Sequence, residues 1–341
     1  MKVLIAMSGG VDSAATAALI LEAGHTAEGC TLRLSGTARE DAELVRAAAS
    51  AAALGIPHRI LDLREEFARE VIRPFAEAYA RGKTPNPCIL CNKKIKLGAL
   101  YRYAMAEGFD AIATGHYARI EMKDGRPHLL RATDGAKDQS YVLYTLPEEV
   151  LARTLLPLGD KTKAEARAIA ERYGLASARA EESQDICFVP NGRYAEVVES
   201  TLGAPIPEGN YVDREGNVLG RHRGITHYTI GQHKGLGIAL GRVRYVTRID
   251  AARGEVTLGD EEELYSREVR LCDLHFIGDT PSAPLPVTAK LRYRQRDVAA
   301  TVIPEEGGAR LVTEVPVRAP APGQSAVLYD GDRVLGGGII M

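Results

Sequence analysis

The stretch KVLIAMSGGVDSAATAALILEAG, residues 2–24, constrains the fold more than any other part of the chain. KVLIAM is a short continuous apolar run, the pattern of a strand buried on both faces. A glycine pair turns the chain, and VDSAATAALILEA then reads as a helix stopped at Gly24. The alternation continues. AEGCTLRL, PHRILDL and FDAIATG read as strands. REDAELVRAAASAAAL reads as a helix stopped at Gly55, REEFAREVIRPFAEAYA as a helix carried through Pro74, and KKIKLGALYRYAMAE and KAEARAIAERYG as further helices. Strands separated by helices imply a parallel sheet covered on both faces, an α/β fold.

The texture changes near residue 190. Residues 203–224 are rich in Gly, Pro and Asn, and no helix of useful length is expected beyond them. Short alternating segments follow, among them RVRYVTRID, VTAKLRYRQRDVAATVI and QSAVLYDGDRVLGGGII, separated by turn signals such as REGN and YDGD. That is an all-β pattern, expected to form a small barrel. The expected division is an α/β domain over 1–192, a small central domain over 193–262 and a C-terminal β-barrel over 263–341.

Net charge is −2 over 341 residues, so nothing global points to a polyanion or a membrane. No apolar run approaches the roughly 20 residues of a spanning helix, and no signal peptide is visible, so the expected location is the cytoplasm. The cysteines number five, an odd and sparse set that reads as thiols, ligands or catalysts rather than disulfides.

Two segments carry chemistry. In AMSGGVDS the residues Ala6, Met7, Ser8, Gly9, Gly10, Val11, Asp12 and Ser13 join the first strand to the first helix. Glycines admit a phosphate close to the backbone, and the helix N-terminus offers free N–H groups and a positive dipole end. Asp12 could hold a cation that bridges phosphates, such as Mg2+. No Gly-Lys-Ser/Thr follows, so this is not a Walker A loop. In TPNPCILCNKK, Cys88 and Cys91 lie at C-x-x-C spacing just before a basic helix. That position should lower thiol pKa and favour the thiolate. A zinc half-site, a redox pair, a cluster ligand set and a sulfur-handling site all remain open at this point. Cys187 lies in SQDICFVP, and Cys30 and Cys272 fit buried inert thiols.

Three runs are basic without acids. Arg81, Lys83, Lys93, Lys94, Lys96 and Arg102 fall in the first, and residues 221–248 hold the second. Lys290, Arg292, Arg294 and Arg296 alternate in the third, which on a strand would share one face. Such runs fit a phosphate backbone, and Tyr228, Tyr245 and Tyr293 could stack on unpaired bases. Gly115 and His116 end a predicted strand, where ligands sit in open α/β sheets. Lys137, Asp138 and Gln139 form a polar cluster between apolar segments, with a loop salt bridge as the plain alternative.

SGGVDS resembles the PP-loop of the N-type ATP pyrophosphatases. With TPNPCILCNKKIKLG, ATGHYAR, KDQSYVL, SQDICFVP, HRGITHYTIGQHKGLGI, RYRQ and APGQSAVLYDGDRVLGGGII, the chain resembles the bacterial tRNA-specific 2-thiouridylase family over nearly its whole length. The resemblance implies ATP-dependent 2-thiolation of the wobble uridine of tRNAs for Lys, Glu and Gln. It implies a PP-loop (adenine nucleotide alpha hydrolase-like) domain, a small central domain and a C-terminal barrel, the last two binding tRNA. ATP would lie on residues 6–13, with Leu32 and Gly115 along the adenine. Sulfur, delivered by a cysteine desulfurase or a sulfur carrier, would sit as a persulfide on Cys187. Cys91 would be the nucleophile that releases it, ending in a Cys91–Cys187 disulfide. Asn86, Pro87 and Cys88 would adjoin the target base. His116, Lys137, Asp138, Gln139, Arg292, Tyr293 and Gln324 match tRNA-contact positions, and Lys93, Lys94 and Lys96 would face the tRNA backbone. Some members carry aspartate at the place of Cys88, and many carry arginine at that of His233. With a third thiol, Cys88, Cys91 and Cys187 could instead ligate a 4Fe–4S cluster. Outside this family, the rival readings are another PP-loop tRNA modifier, such as a lysidine synthetase or cytidine thiolase, and a non-catalytic iron–sulfur or zinc RNA-binding regulator.

Overall fold

The computed structural model describes residues 1–179 and 186–341. A parallel five-stranded sheet forms from β1 (Lys2–Ala6), β2 (Thr26–Arg33), β3 (His58–Asp62), β4 (Ala111–Ala113) and a two-residue β7 (Thr154–Leu155), in the order β3-β2-β1-β4-β7. Its direction of winding reverses between β1 and β4. In a doubly wound sheet, the carboxyl ends of the strands at that reversal form the ligand crevice. α1 (Val11–Glu22) follows β1, and its face of Ala14, Ala15, Ala17 and Ala18 is buried. α2 (Ala38–Ala53), capped by the Thr37 side chain, follows β2.

The segment expected to be one helix over REEFAREVIRPFAEAYA is helical throughout but not α-helical throughout. α3 (Arg64–Phe67) widens into a π-helical turn, Ala68–Ile72, before α4 (Arg73–Ala80). The wider register lies directly ahead of Pro74, whose ring and missing N–H a regular α-helix could not accommodate. The cysteine helix behaves alike. α5 (Pro87–Cys91) passes into a π-helical stretch, Asn92–Ala99, and then α6 (Leu100–Ala106). α7 (Glu148–Leu151) precedes β7, and α8 (Lys163–Arg172) starts from a capping box of Thr162 and Glu165.

Two pieces depart from the sequence expectation. α9 (Tyr194–Leu202) is a helix in a region read as the start of the β-rich part. Its Val198 packs with Phe75, Ala76 and Tyr79 of α4. The hairpin β5 (Ala118–Lys123) and β6 (Arg126–Arg131) leaves the parallel sheet altogether. It joins the edge of the C-terminal sheet, where Leu130 pairs with Arg333.

The central sheet has β8 (Gly209–Val212), β9 (Val218–His222), β10 (Tyr245–Asp250) and β11 (Glu255–Gly259), in the order β10-β11-β8-β9. β12 (Tyr265–Phe276), β13 (Leu285–Lys290), β14 (Val298–Glu305), β15 (Gly308–Arg318), β16 (Ser325–Asp330) and β17 (Arg333–Ile340) form an antiparallel barrel, closed by pairing of β12 with β17. Residues 140–146, which follow the polar cluster of Lys137, Asp138 and Gln139, form a buried plug. Tyr141 donates to the Ser325 carbonyl (2.8 Å), and Tyr144 bonds the Ser325 hydroxyl (3.0 Å). One core therefore runs from Leu4 and Ile112 of the parallel sheet through Tyr141 to Val327 and Val334 of the barrel. Among the described residues, no helix is long and apolar enough to cross a membrane.

Candidate active site

The loop after β1 lies at the winding reversal of the sheet, and short contacts fix its shape. The Ser13 hydroxyl accepts from the Ser8 N–H (3.1 Å) and donates to the Gly10 carbonyl (3.0 Å). Gly9 has a φ of 72°, a left-handed conformation that glycine adopts freely. A side chain there would also collide with the Glu43 carbonyl of α2. Arg46 of α2 donates to the Gly9 carbonyl (3.3 Å). Gly10 stands at the N-cap of α1 and has no side chain with which to close the first turn, so the leading N–H groups point at the loop. Met7 is buried, its N–H on the Cys30 carbonyl (2.8 Å), and Val11 packs under α8 with Ala170 and Leu175. Gly115 follows β4, and a Cβ there would stand 2.9 Å from the Asp12 carbonyl carbon. The strand end and the helix start are thus pressed together. Asp12 accepts from the Tyr117 hydroxyl (2.7 Å) and from Lys163, whose ammonium is 2.8 Å from both carboxylate oxygens. Asp12 fits a phosphate-bound Mg2+ by its chemistry and its place in the loop. The site can bind a polyphosphate and direct its charge at the end of β4.

The cysteine loop is built from several elements. Asn86 caps α5 by accepting the Cys88 N–H (3.1 Å), and Pro87 takes the first helical position, where a missing N–H costs nothing. The preceding turn is pinned by the barrel. Thr84 donates to the Pro322 carbonyl (2.7 Å), and the Gln324 amide donates to the Thr84 carbonyl (2.6 Å). Cys91 is buried with Phe67, Val71 and Ile95, and Leu32 at the end of β2 packs on the same cluster. Phe188 joins that cluster edge-on, 5.6 Å from Phe67 and 5.2 Å from Phe75. This seats the exposed Cys187 beside the cysteine helix. Ser183, Gln184 and Asp185 of the SQDICFVP segment lie outside the described residues.

The electrostatics correct two expectations. The helix N-terminus does not make thiolates of Cys88 and Cys91. Burial pushes the Cys91 thiol up to about 11, with Lys96 pulling down and the neighbouring Cys187 and Cys88 pushing up. Cys88 is exposed on one side, yet loss of solvation on the other raises its thiol as well, against Lys96. A thiol loses more by leaving water than a short helix dipole returns. Lys96 is half-buried and faces the sulfurs. Burial works to lower its pKa, but Cys91, Cys187, Cys88 and the Glu43 carboxylate raise it above the ordinary lysine value. His116 is pushed down to about 3 by burial and then by Lys96, so it is neutral at neutral pH. Its Nδ1 shares a hydrogen bond with the Thr114 hydroxyl (2.9 Å). Cys30 behaves as expected: buried, with a pKa near 12. Among the described residues, no three Cys, His, Asp or Glu side chains converge to hold a metal ion.

The remaining site candidates separate. Asp138 is buried and organises its own loop, accepting from the Ala132 and Ser140 N–H groups (both 3.1 Å), with Arg131 at 3.7 Å. Gln139 pairs with Tyr117 through both its side chain (2.9 Å) and its backbone N–H (2.8 Å). Lys137 is half-buried on the same turn. The third basic run is not a strand face: β13 ends at Lys290, and Arg292, Arg294 and Arg296 lie in the connection to β14. Arg292 turns inward and donates to the Ala319 carbonyl (2.7 Å) and the Ile230 carbonyl (3.3 Å). Tyr293 lies 5.8 Å from Tyr141 and close enough to Cys88 for that thiol to help raise its pKa, after burial. Tyr228 is core, edge-on to Tyr211 and His222, and cannot stack on a base. Arg102, Lys94 and Arg242 are paired with Glu66, Glu70 and Asp260, which thins the basic runs. Sequence reasoning missed Lys163, Tyr117 and Arg46. The capping signal T-x-x-E marked the helix of Lys163, but nothing local pointed to a partner 151 residues away.

Family models match three consecutive parts of the chain: a tRNA methyl transferase HUP domain over 1–191, a tRNA methyl transferase PRC-barrel domain over 196–260 and an aminomethyltransferase beta-barrel domain over 266–340. The tRNA-specific 2-thiouridylase MnmA of Desulforudis audaxviator is 48% identical over 341 residues, with 99% of this chain and 98% of the relative covered. That of Moorella thermoacetica is 48% identical over 357 residues, at 99% and 98% coverage. That of Acetivibrio thermocellus is 44% identical over 354 residues, with 99% of each covered. With a phosphate-shaped loop, a thiol set around one lysine and identity of this level from end to end, the chain belongs to the tRNA-specific 2-thiouridylase family.

Proposed function

We propose that this chain is a tRNA-uridine 2-sulfurtransferase that uses ATP to thiolate the wobble uridine, position 34, of tRNAs for Lys, Glu and Gln in the cytoplasm. One observation carries the reading. The phosphate loop and the thiols are joined by a short bridge, in which Gly115 presses on Asp12 while His116, its neighbour, is within electrostatic reach of Lys96 among the cysteines. A base placed there would meet an activating phosphate on one side and a sulfur donor on the other.

Residues 6–13, with Leu32 and Gly115, would hold ATP, and Asp12 would hold a Mg2+ ion, which would supply positive charge to the phosphates. The uridine C2 oxygen attacks the α-phosphorus and pyrophosphate leaves. Cys187 carries a persulfide received from a cysteine desulfurase or sulfur carrier. The Cys91 thiolate attacks the Cys187 sulfur, the S–S bond to the terminal sulfur breaks, and hydrogen sulfide ion leaves as the Cys91–Cys187 disulfide forms. The released sulfide attacks C2, AMP departs, and an external thiol reduces the disulfide. Lys96 stabilises the Cys91 thiolate against its burial. Neutral His116, Asn86, Pro87 and Tyr293 border the base, and Lys137, Asp138, Gln139, Arg292 and Gln324 shape the tRNA-binding surface over the α/β domain, the central sheet and the barrel.

The test is incubation with ATP, a persulfide donor and tRNA lacking the modification. Release of AMP and thiolated tRNA is expected; absence of both refutes the reading. The competing sulfur route, a 4Fe–4S cluster on Cys88, Cys91 and Cys187, is separated by Cys88→Ser. Full thiolation without bound iron favours the persulfide, whereas loss of activity together with loss of a visible absorbance in anaerobic protein favours the cluster.

A further inference from the structure

Arg131 ends β6 and stands between two polar segments that come from different domains. On one side is the turn of Lys137, Asp138 and Gln139, and on the other the connection from Arg292 to Asp297 that leaves β13. The guanidinium reaches both. Its Nη1 is 3.7 Å from the Asp138 carboxylate, and its Nη2 donates to Asp297, the acid that closes the third basic run. Its central carbon lies 3.6 Å from the ring centre of Tyr329 in β16, which is fully buried. The Tyr329 hydroxyl is 3.4 Å from the Ser140 hydroxyl, which donates to Asp138 (3.0 Å). The backbone is fixed as well. The Arg131 N–H donates to the Asp332 carbonyl (2.9 Å), and the Arg131 carbonyl accepts from Arg119 (2.9 Å). Side-chain exposure is 16% for Arg131, 3% for Asp138 and 34% for Asp297.

We propose that Arg131 is a positioning residue for tRNA, a clamp that holds the 137–139 turn and the 292–297 connection at one fixed separation. Neither segment can set that separation by itself, since the first belongs to the α/β domain and the second to the barrel. A planar guanidinium can bridge two carboxylates and stack on a ring at once, whereas an ammonium is a single point of charge. The acids in turn need the cation. Asp138 is buried, and without Arg131 its charge would face Asp297 with nothing positive between them. With Asp297 turned to Arg131, the exposed Arg294 and Arg296 keep their charge for a phosphate backbone. The inference rests on the tRNA reading above.

Steady-state thiolation by the full chain tests it, with ATP and a persulfide donor in excess and tRNA varied. Asp297→Asn breaks the bridge and leaves Arg131 beside Asp138. Arg131→Lys breaks it and still leaves Asp138 a cation. Each should raise KM for tRNA by about three- to tenfold, the scale of one hydrogen bond, with kcat within about twofold and Mg·ATP binding unchanged. Both variants remove the same bridge, so the double variant Arg131→Lys/Asp297→Asn should exceed the more affected single by no more than about twofold. A merely structural role leaves a different trace: less folded enzyme lowers kcat and leaves KM alone. If kcat falls while KM holds, or if the two effects multiply in the double variant, the proposal is overturned. If the unmodified chain neither binds tRNA nor thiolates it, the reading beneath the inference falls. If it does both and the variants match it in KM, the clamp alone falls.

Discussion

From Ser8 to Ser13 the nucleotide loop is closed largely by its own atoms, with a serine hydroxyl tying two backbone groups within five residues. From Thr84 to Cys91 the cysteine loop is held by groups far away in sequence: Pro322 and Gln324 of the barrel, Phe188 of a later segment, and Leu32 at the end of β2. The contrast is physical. A phosphate is recognised by backbone N–H groups and a helix end, which a short contiguous motif can present. A sulfur relay needs thiols from separate segments to meet in a partly dry place, and only tertiary packing provides that. The backbone cradle of the first site should tolerate remote change, apart from the side chains that reach Asp12 and Gly9, and the second site should not.

The contrast is sharpest at the sulfurs. Cys91→Ser and Cys187→Ser should each lower thiolation by roughly 1000-fold or more, as expected when a nucleophile or carrier atom is removed. Pyrophosphate release in the presence of tRNA should stay within about threefold, since the phosphate loop closes on itself. A parallel loss of pyrophosphate release would mean that the two sites form one unit.

Lys96 gives the next test. The Cys91 thiol stands at about 11 because burial outweighs the lysine. Removing the positive charge in Lys96→Met must raise it further. Below the pKa, alkylation rate follows the thiolate fraction, which falls about tenfold for each unit of upward shift. Alkylation of Cys91 followed by mass spectrometry from about pH 8 to about pH 10 should therefore rise with pH without levelling in the unmodified chain, and run several-fold slower in the variant. Equal rates would remove Lys96 from the thiol site. Binding of Mg·ATP should not change.

How much of this was legible in the sequence follows the same division. The parallel sheet was readable because KVLIAM and its successors are buried runs separated by helical periodicity, a local signal. The phosphate loop was readable because glycines and serines sit together. The hairpin from Ala118 to Arg131 was not, because strand character says nothing about which sheet a strand will join. The alternating basic residues at 290–296 suggested a strand face, and the chain instead leaves β13 at Lys290 and turns Arg292 into the junction with the central sheet. The raised thiol pKa values were invisible, since they depend on burial. Lys96 stood in a basic run like any other, and only the fold turns it from the surface toward three sulfurs.

The smallest expected effect decides what Gln324 does. Its amide donates to the Thr84 carbonyl at 2.6 Å, and the neighbouring Pro322 carbonyl accepts from the Thr84 N–H at 2.7 Å. Gln324→Ala removes the first of these and keeps the second, a loss of about 0.5–1.5 kcal/mol in the fixing of the loop. Thiolation should fall about two- to fivefold, with no change in ATP binding. The resemblance to the family suggested a tRNA contact for this residue, and the two roles leave different traces. If Gln324 acts by pinning the turn ahead of Asn86 and Cys88, the variant alkylates faster at Cys88 in the absence of tRNA, because the loop opens more often. If it acts on tRNA, alkylation is unchanged and the loss appears wholly in KM for tRNA. The first outcome is expected, since the amide is already engaged with Thr84 and a nucleic acid would have to displace it.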